Sequence, residues 1–142
     1  MDILTELINK IEEIDINKVL DEYFTKNKEF ILNLNKEQLY EFGVDANNEE
    51  IGQYTSFTKV LKRRKGQRAD HITLKDTGKF YDSFKLKFDG QNLVFDANPY
   101  KENVNLFERY GIDVLGLNED SQNYMLFDLR DFIIKKYDEI LD

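Results

Sequence analysis

The sequence predicts an α+β fold in which N-terminal helices precede a small antiparallel β-hairpin or sheet packed against a long C-terminal helix. Apolar residues recur at three- and four-residue steps near the start (Leu4, Leu7, Ile8, Ile11, Ile14) and again near the end (Met125, Leu126, Leu129, Phe132, Ile133, Tyr137, Ile140, Leu141), the period of a helix face. Between them one stretch alternates: Phe84, Leu86 and Phe88 are interleaved with Lys85 and Lys87, Asp89-Gly90 follows, and Leu93 to Phe95 runs back. Alternation on both sides of an Asp-Gly pair is the pattern of a hairpin with one greasy face.

In chain order, the first stripe predicts a helix of about 12 residues. Asp15 can cap a second helix whose buried face is Val19, Leu20, Tyr23 and Phe24, and the polar run from Thr25 to Glu29 ends it. Asn35 followed by Glu37 and Gln38 reads as a capping signal, with Gly43 at the C-terminal stop, so a short third helix is expected over 35–42. The turn residues Asp45, Asn47 and Asn48, then Ile51, Gly52 and Tyr54, read as an exposed arm over 44–54. Thr55 or Ser56 can cap a basic helix in which Phe57, Val60 and Leu61 form a narrow apolar face, closed by Gly66. Ile72 and Leu74 alternate as in an extended piece, Asp76-Thr77-Gly78 resets the chain, and a short helix is expected from about Lys79 to Ser83. Past the hairpin, Pro99 interrupts the chain, and Val104, Leu106, Phe107 and Tyr110 suggest a helix ended by Gly111. An apolar connector, Ile112 to Leu117, leads to the last helix, expected from about Ser121. Residues 1–34 form a helical region and 35–142 an α+β unit, together one compact body.

Composition narrows the function. A chain of 142 residues with 41% apolar and 13% aromatic residues can close a core without metal or disulfide staples. It contains no cysteine, which removes thiol nucleophiles, disulfides and thiolate metal sites. The opening Met-Asp-Ile-Leu-Thr-Glu-Leu has no basic region ahead of an apolar run, and no segment reaches the roughly 18 apolar residues of a membrane span. A soluble protein with no membrane partner is expected. The net charge of -8 opposes adhesion to nucleic acid and anionic membranes. That charge is segregated: residues 1–55 hold thirteen acids and five bases, whereas 59–68 hold Lys59, Lys62, Arg63, Arg64, Lys65 and Arg68 and no acid. Such polarity suits head-to-tail contact between copies.

Catalysis by histidine can rest only on His71, beside Asp70 and near Asp76. No second histidine, nucleophile elbow or metal-ligand cluster accompanies it. The carboxylate pairs Glu12-Glu13 and Glu49-Glu50 are adjacent residues that point to different faces, and the glycines match no phosphate-binding pattern. The expectation is a protein that is not an enzyme, with no catalytic, cofactor-binding or metal-binding residues. The run 59–68 is the one feature of nucleic-acid type, because clustered cations neutralise phosphates, yet it lacks aromatic interleaving. Transient contact with passing DNA fits it, as does a protein-facing role.

From Thr55 onward the signals come in a particular order: Thr55-Ser-Phe-Thr58, the basic helix, Ile72-Thr-Leu-Lys-Asp-Thr-Gly78, Phe80-Tyr-Asp-Ser-Phe84, the hairpin and Arg109-Tyr-Gly111. That order resembles the tail-completion proteins of tailed bacteriophages and the related virion-morphogenesis proteins of Mu-like phages. Leu74, Asp76, Thr77, Gly78, Phe80 and Ser83 match that family's "hydrophobic, x, Asp-Thr-Gly, x, hydrophobic, x, x, Ser" segment position for position. They are taken as a fold marker, since Asp76 can cap the next helix, Thr77 can satisfy backbone donors and Gly78 permits close approach. The likeness covers roughly 38–117, and its Gln38-Leu-Tyr, Gly66-Gln and Gly111-Ile-Asp-Val-Leu-Gly-Leu117 pieces resemble versions from phages and prophages of Bacteroidota. The His-x-x-Gly and Arg-Pro-Phe ending of many relatives is replaced by Glu108-Arg-Tyr-Gly and Leu115-Gly-Leu.

The resemblance implies a structural virion protein of the neck, assembled in host cytoplasm. It would form or complete a ring of its own copies between the portal or its adaptor and the tail. On that reading the expected subunit interface is Tyr54, Phe57, Lys62, Arg63, Arg64, Lys65, Arg68 and Tyr100, charged groups with aromatic anchors. The rival readings are an acidic inhibitor or DNA mimic resting on the net charge, a DNA-contacting module resting on 59–68, and a hydrolase built on His71.

Overall fold

Asp2 and Asp15 each cap a helix. The Asp2 carboxylate accepts from the Thr5 N–H and opens α1 (Ile3–Glu12), and that of Asp15 accepts from the Asn17 and Lys18 N–H groups and opens α2 (Ile16–Lys26). This is a computed structural model describing residues 2–142. In α2, Val19, Tyr23 and Phe24 are buried as their spacing predicts. Asn27 makes the corner after α2, its side-chain amide donating to the Tyr23 carbonyl.

The next helix, α3, spans Lys28–Tyr40, so it starts at Lys28 rather than Asn35. The polar run breaks the helix for a single residue, after which Phe30, Ile31 and Leu32 anchor a new one. The residue expected to cap it, Asn35, lies fully buried in its middle. The 34/35 division therefore falls inside one continuous helix.

The segment 44–54 is irregular, as expected, but it is no free arm. Asp45 is buried and its carboxylate accepts from the Asn47 and Glu49 N–H groups. The backbone N–H of Ala46 donates to the Asp113 carbonyl, that of Ile51 to Gly43, and the Gly52 carbonyl accepts from Ile72. Backbone donors and acceptors near a core are paired wherever partners exist, and here the pairing ties the segment down.

Helix α4 (Ser56–Arg64) follows, capped by Thr55, and the short α5 (Lys79–Asp82) starts at Gly78, whose φ of 89° is in the left-handed region. Strands β1 (Lys85–Phe88) and β2 (Leu93–Asp96) pair antiparallel with Leu86 opposite Phe95. Their turn is stabilised by the Asp89 carboxylate, which accepts from the Gln91 and Asn92 N–H groups. A second, two-residue ladder joins β3 (Tyr100–Lys101) to β4 (Val104–Asn105), so Val104 belongs to a strand and Asn105 caps α6 (Leu106–Tyr110). A 3-10 turn over Ile112–Val114 leads to α7 (Glu119–Leu141), capped by Asn118.

The core lies between α2, α3, the β1–β2 hairpin and α7. Tyr23 is its hub: the ring packs edge-on against Phe24 and Phe132, and its hydroxyl donates to Asp128 of α7 at 2.8 Å. Burial and the Asp128 carboxylate hold the Tyr23 phenol above its ordinary pKa. Phe24 reaches across to Phe88 of the hairpin, 4.7 Å between centroids. In α7 only Met125 and Leu129 are fully buried, while Leu126 and Ile140, expected inside, are exposed along with Phe127 and Ile134. A 23-residue helix is longer than the core it covers. Among the described residues, no helix is long and apolar enough to cross a membrane.

Candidate functional site

The basic helix α4 is mounted inside out. Within it Thr58, Lys59 and Lys62 are half-covered, and every other residue is exposed. The Lys62 ammonium donates to the Lys75 carbonyl at 3.2 Å and sits 4.7 Å from the centre of the Tyr54 ring, a cation–π contact. Thr58 and Lys62 line a cleft of about 340 Å³ with Tyr54, Lys101, Arg109 and Tyr110. The apolar residues, expected to pack inward, point away from the body: Phe57 is 73% exposed, and Val60 and Leu61 are exposed beside it. No residue of α4 is buried. The reason is local, because the helix is held at its polar side and at its C-terminal end by ions and amides.

That end is anchored through Asp76. Its carboxylate accepts from Lys101 of β3 at 3.0 Å and from the Gln67 amide, and lies 3.8 Å from Lys65. Lys101 first, then Gln67, hold the Asp76 carboxyl below its ordinary pKa. Arg68 forks between Glu41 at 2.8 Å and Asp70 at 2.7 Å. The Arg68 hydrogen bonds lower Asp70 to about 2. Contrary to the expectation from sequence, Asp76 does not cap α5; no side chain does so from the capping position, and the Thr77 hydroxyl accepts the Lys79 N–H from the preceding residue.

The rest of the 74–83 segment holds the chain together. Leu74 turns with a φ of 59°, Phe80 packs on Phe84 and Phe107, and the Tyr81 hydroxyl donates to the Thr73 carbonyl. The Ser83 hydroxyl donates to Phe80 and accepts from the Asn98 N–H, joining α5 to the segment beyond the hairpin.

The expected interface residues thus divide into two groups. Tyr54, Lys62, Lys65 and Arg68 are engaged within the chain, Tyr54 through a hydroxyl that accepts from the Thr73 N–H at 3.0 Å. Phe57, Arg63 and Arg64 face solvent, and Tyr100 is 70% exposed on β3, one residue from the Lys101 that meets Asp76. Among the described residues the side chains of Lys59, Arg63 and Arg64 make no ion pair or hydrogen bond, so α4 presents an apolar stripe flanked by unpaired cations.

His71 is fixed on two sides. Its Nε2 lies 2.6 Å from the Tyr40 carbonyl, to which it must donate, and its Nδ1 faces the Asp70 carboxylate at 3.3 Å. Its ring presses on Gly43, where an added Cβ would lie 2.5 Å from Cδ2.

The polar residues that sequence reasoning missed are Asn35 and Gln38. Asn35 donates to the Val114 carbonyl and accepts from the Gly116 N–H, both at 2.9 Å. Gln38 donates to Gly116 and accepts from the Asn118 N–H. Two side-chain amides thereby supply the backbone pairing a neighbouring strand would give. Their spacing in step with Ile31 and Leu39 is the signal that marks them as inward-facing. A cleft of about 650 Å³ between α3 and the start of α7 is lined by Phe30, Glu37, Phe42, Asn48 and Tyr124 among others. Comparison with family models, with curated proteins and with solved structures finds no match to this chain.

Proposed function

We propose that the protein is a structural, non-enzymatic subunit of a tailed-phage neck, joining or completing a ring of its own copies between the portal or adaptor and the tail. The observation that carries this reading is the mounting of α4, which leaves Phe57, Val60 and Leu61 and the unpaired Arg63 and Arg64 on one outward surface, with the half-covered Lys59 at its edge. An aromatic anchor beside aliphatic residues and arginines is the composition of a protein contact. The motif resemblance over 38–117 supplies the setting. Mass measurement by light scattering, on the protein alone and mixed with the portal and adaptor proteins encoded near it, tests the assignment. Recruitment into a multi-copy complex is expected; a monomer that ignores both would overturn it.

The three unpaired cations favour a second reading, contact with DNA passing through the neck. Three phosphate contacts would give log affinity against log salt a slope of about -3. A salt-independent or undetectable affinity would remove this reading and leave the first intact.

A further inference from the structure

We propose that the occupant of the outward face of α4 is α1 of a second copy of this chain, in a head-to-tail contact. The inference rests on the ring reading for its choice of a second copy, and it names the surface that copy uses. Helix α1 carries an apolar stripe of opposite charge surroundings that it likewise leaves exposed. Ile3, Leu4, Leu7, Ile8 and Ile11 all stay exposed although α1 lies against α7, with Leu4 66% exposed. Neither helix contains a buried residue.

Their charges are opposite. The α1 stripe is bordered by Asp2, Glu6, Glu12 and Glu13 against the single Lys10, and α4 by Lys59, Arg63 and Arg64 with no acid between 55 and 68. An acidic stripe repels another α1 and an anionic membrane; a basic one repels another α4. Each therefore discriminates against itself and selects the other. A contact between two different patches of one chain is heterologous, and repeated around an axis it closes a ring or, failing closure, propagates as a filament. On α4, Phe57, Val60, Leu61 and Arg64 fall at helical spacing on one side, so a second amphipathic helix can lie along them with its acids toward the cations.

The absence of cysteine makes the contact directly readable with introduced thiols. Leu7→Cys and Val60→Cys proteins, each at an exposed position, are oxidised mildly alone and as an equimolar mixture. The mixture is expected to form disulfide dimers about tenfold faster than either protein alone, because opposite charge raises the encounter rate and like charge lowers it. Leu4→Cys with Phe57→Cys provides an independent pair. If neither mixture outpaces its separate components, the contact does not exist. Flotation of the wild-type chain with phosphatidylserine vesicles, with both pairs unlinked, would assign α4 to a membrane surface instead and also overturn the proposal. Linked pairs in a protein that ignores portal and adaptor would remove the neck assignment and leave this contact standing. Recruitment to the portal with both pairs unlinked would do the reverse.

Discussion

Helices α3 and α4 both break the rule that a helix hides its apolar side and shows its polar one, and they break it in opposite directions. In α3 the amides of Asn35 and Gln38 are buried and bonded to the 114–118 connector. In α4 a phenylalanine, a valine and a leucine are turned outward. The first exception is resolved inside the molecule, because an irregular connector passing through a core leaves backbone groups that need partners, and side-chain amides provide both donor and acceptor. The second has no partner inside the molecule. A buried amide is explained by its own chain, whereas the outward apolar face is left for the proposed contact between copies to cover.

The largest effect is expected where the internal exception is removed. Asn35→Leu leaves the buried Val114 carbonyl and the part-buried Gly116 N–H without their side-chain partner, and should lower stability by about 2 to 5 kcal/mol in urea unfolding. A loss below 1 kcal/mol, on the order of a surface change, would mean that water or a shifted connector replaces the amide. Next is Gly43→Ala, which places a methyl group against the His71 ring at a φ of 64° and should cost about 1 to 3 kcal/mol. Adding His71→Ala should return part of that loss, and a strictly additive double variant would deny that the ring is what the methyl meets.

Smaller still is the expected cost of Phe57→Ser with Val60→Ser, within about 0.5 kcal/mol each in the same unfolding assay, since both are already in solvent. Those substitutions should nevertheless weaken assembly. A large loss of stability would show that α4 packs inward after all and would erase the contrast with α3. The smallest effect concerns acid. The native Asp76 carboxyl is held below its ordinary value of 3.8, so its contribution is full above that pH and is lost as the pH falls below it toward the lowered native value. The protection of α4 amides relative to their intrinsic exchange rates at each pH should therefore fall on acidification in the native protein and change less with pH in Asp76→Asn. Equal acid sensitivity in both would show that Asp76 does not anchor the helix.

The sequence was most informative where one physical signal dominates. Helical periodicity located α1, α2 and α7, alternation with an Asp-Gly pair located the hairpin, and capping chemistry located the starts of α2 and α4. It misled where a residue type has two uses. Asn35 has the chemistry of a cap and serves as a buried bridge; Asp76 has the same chemistry and serves as an ion-pair hub for Lys101 and Lys65. Periodicity also cannot say which side of an amphipathic helix meets the body. That side was decided in α4 by Tyr54, the Lys75 carbonyl and Asp76, groups brought together only by the fold. Of the interface expected from sequence, Phe57, Arg63, Arg64 and Tyr100 remain available, joined by Lys59, Val60 and Leu61.

The contrast between the two helices is tested most directly by hydrogen exchange on the free protein and on the protein mixed with portal and adaptor. The amides of α3 should be protected to the same degree in both samples, while those of 56–64 should slow by about tenfold or more in the assembled one. Assembly that leaves 56–64 as exposed as in the free chain, or a mixture in which nothing assembles, would contradict the account.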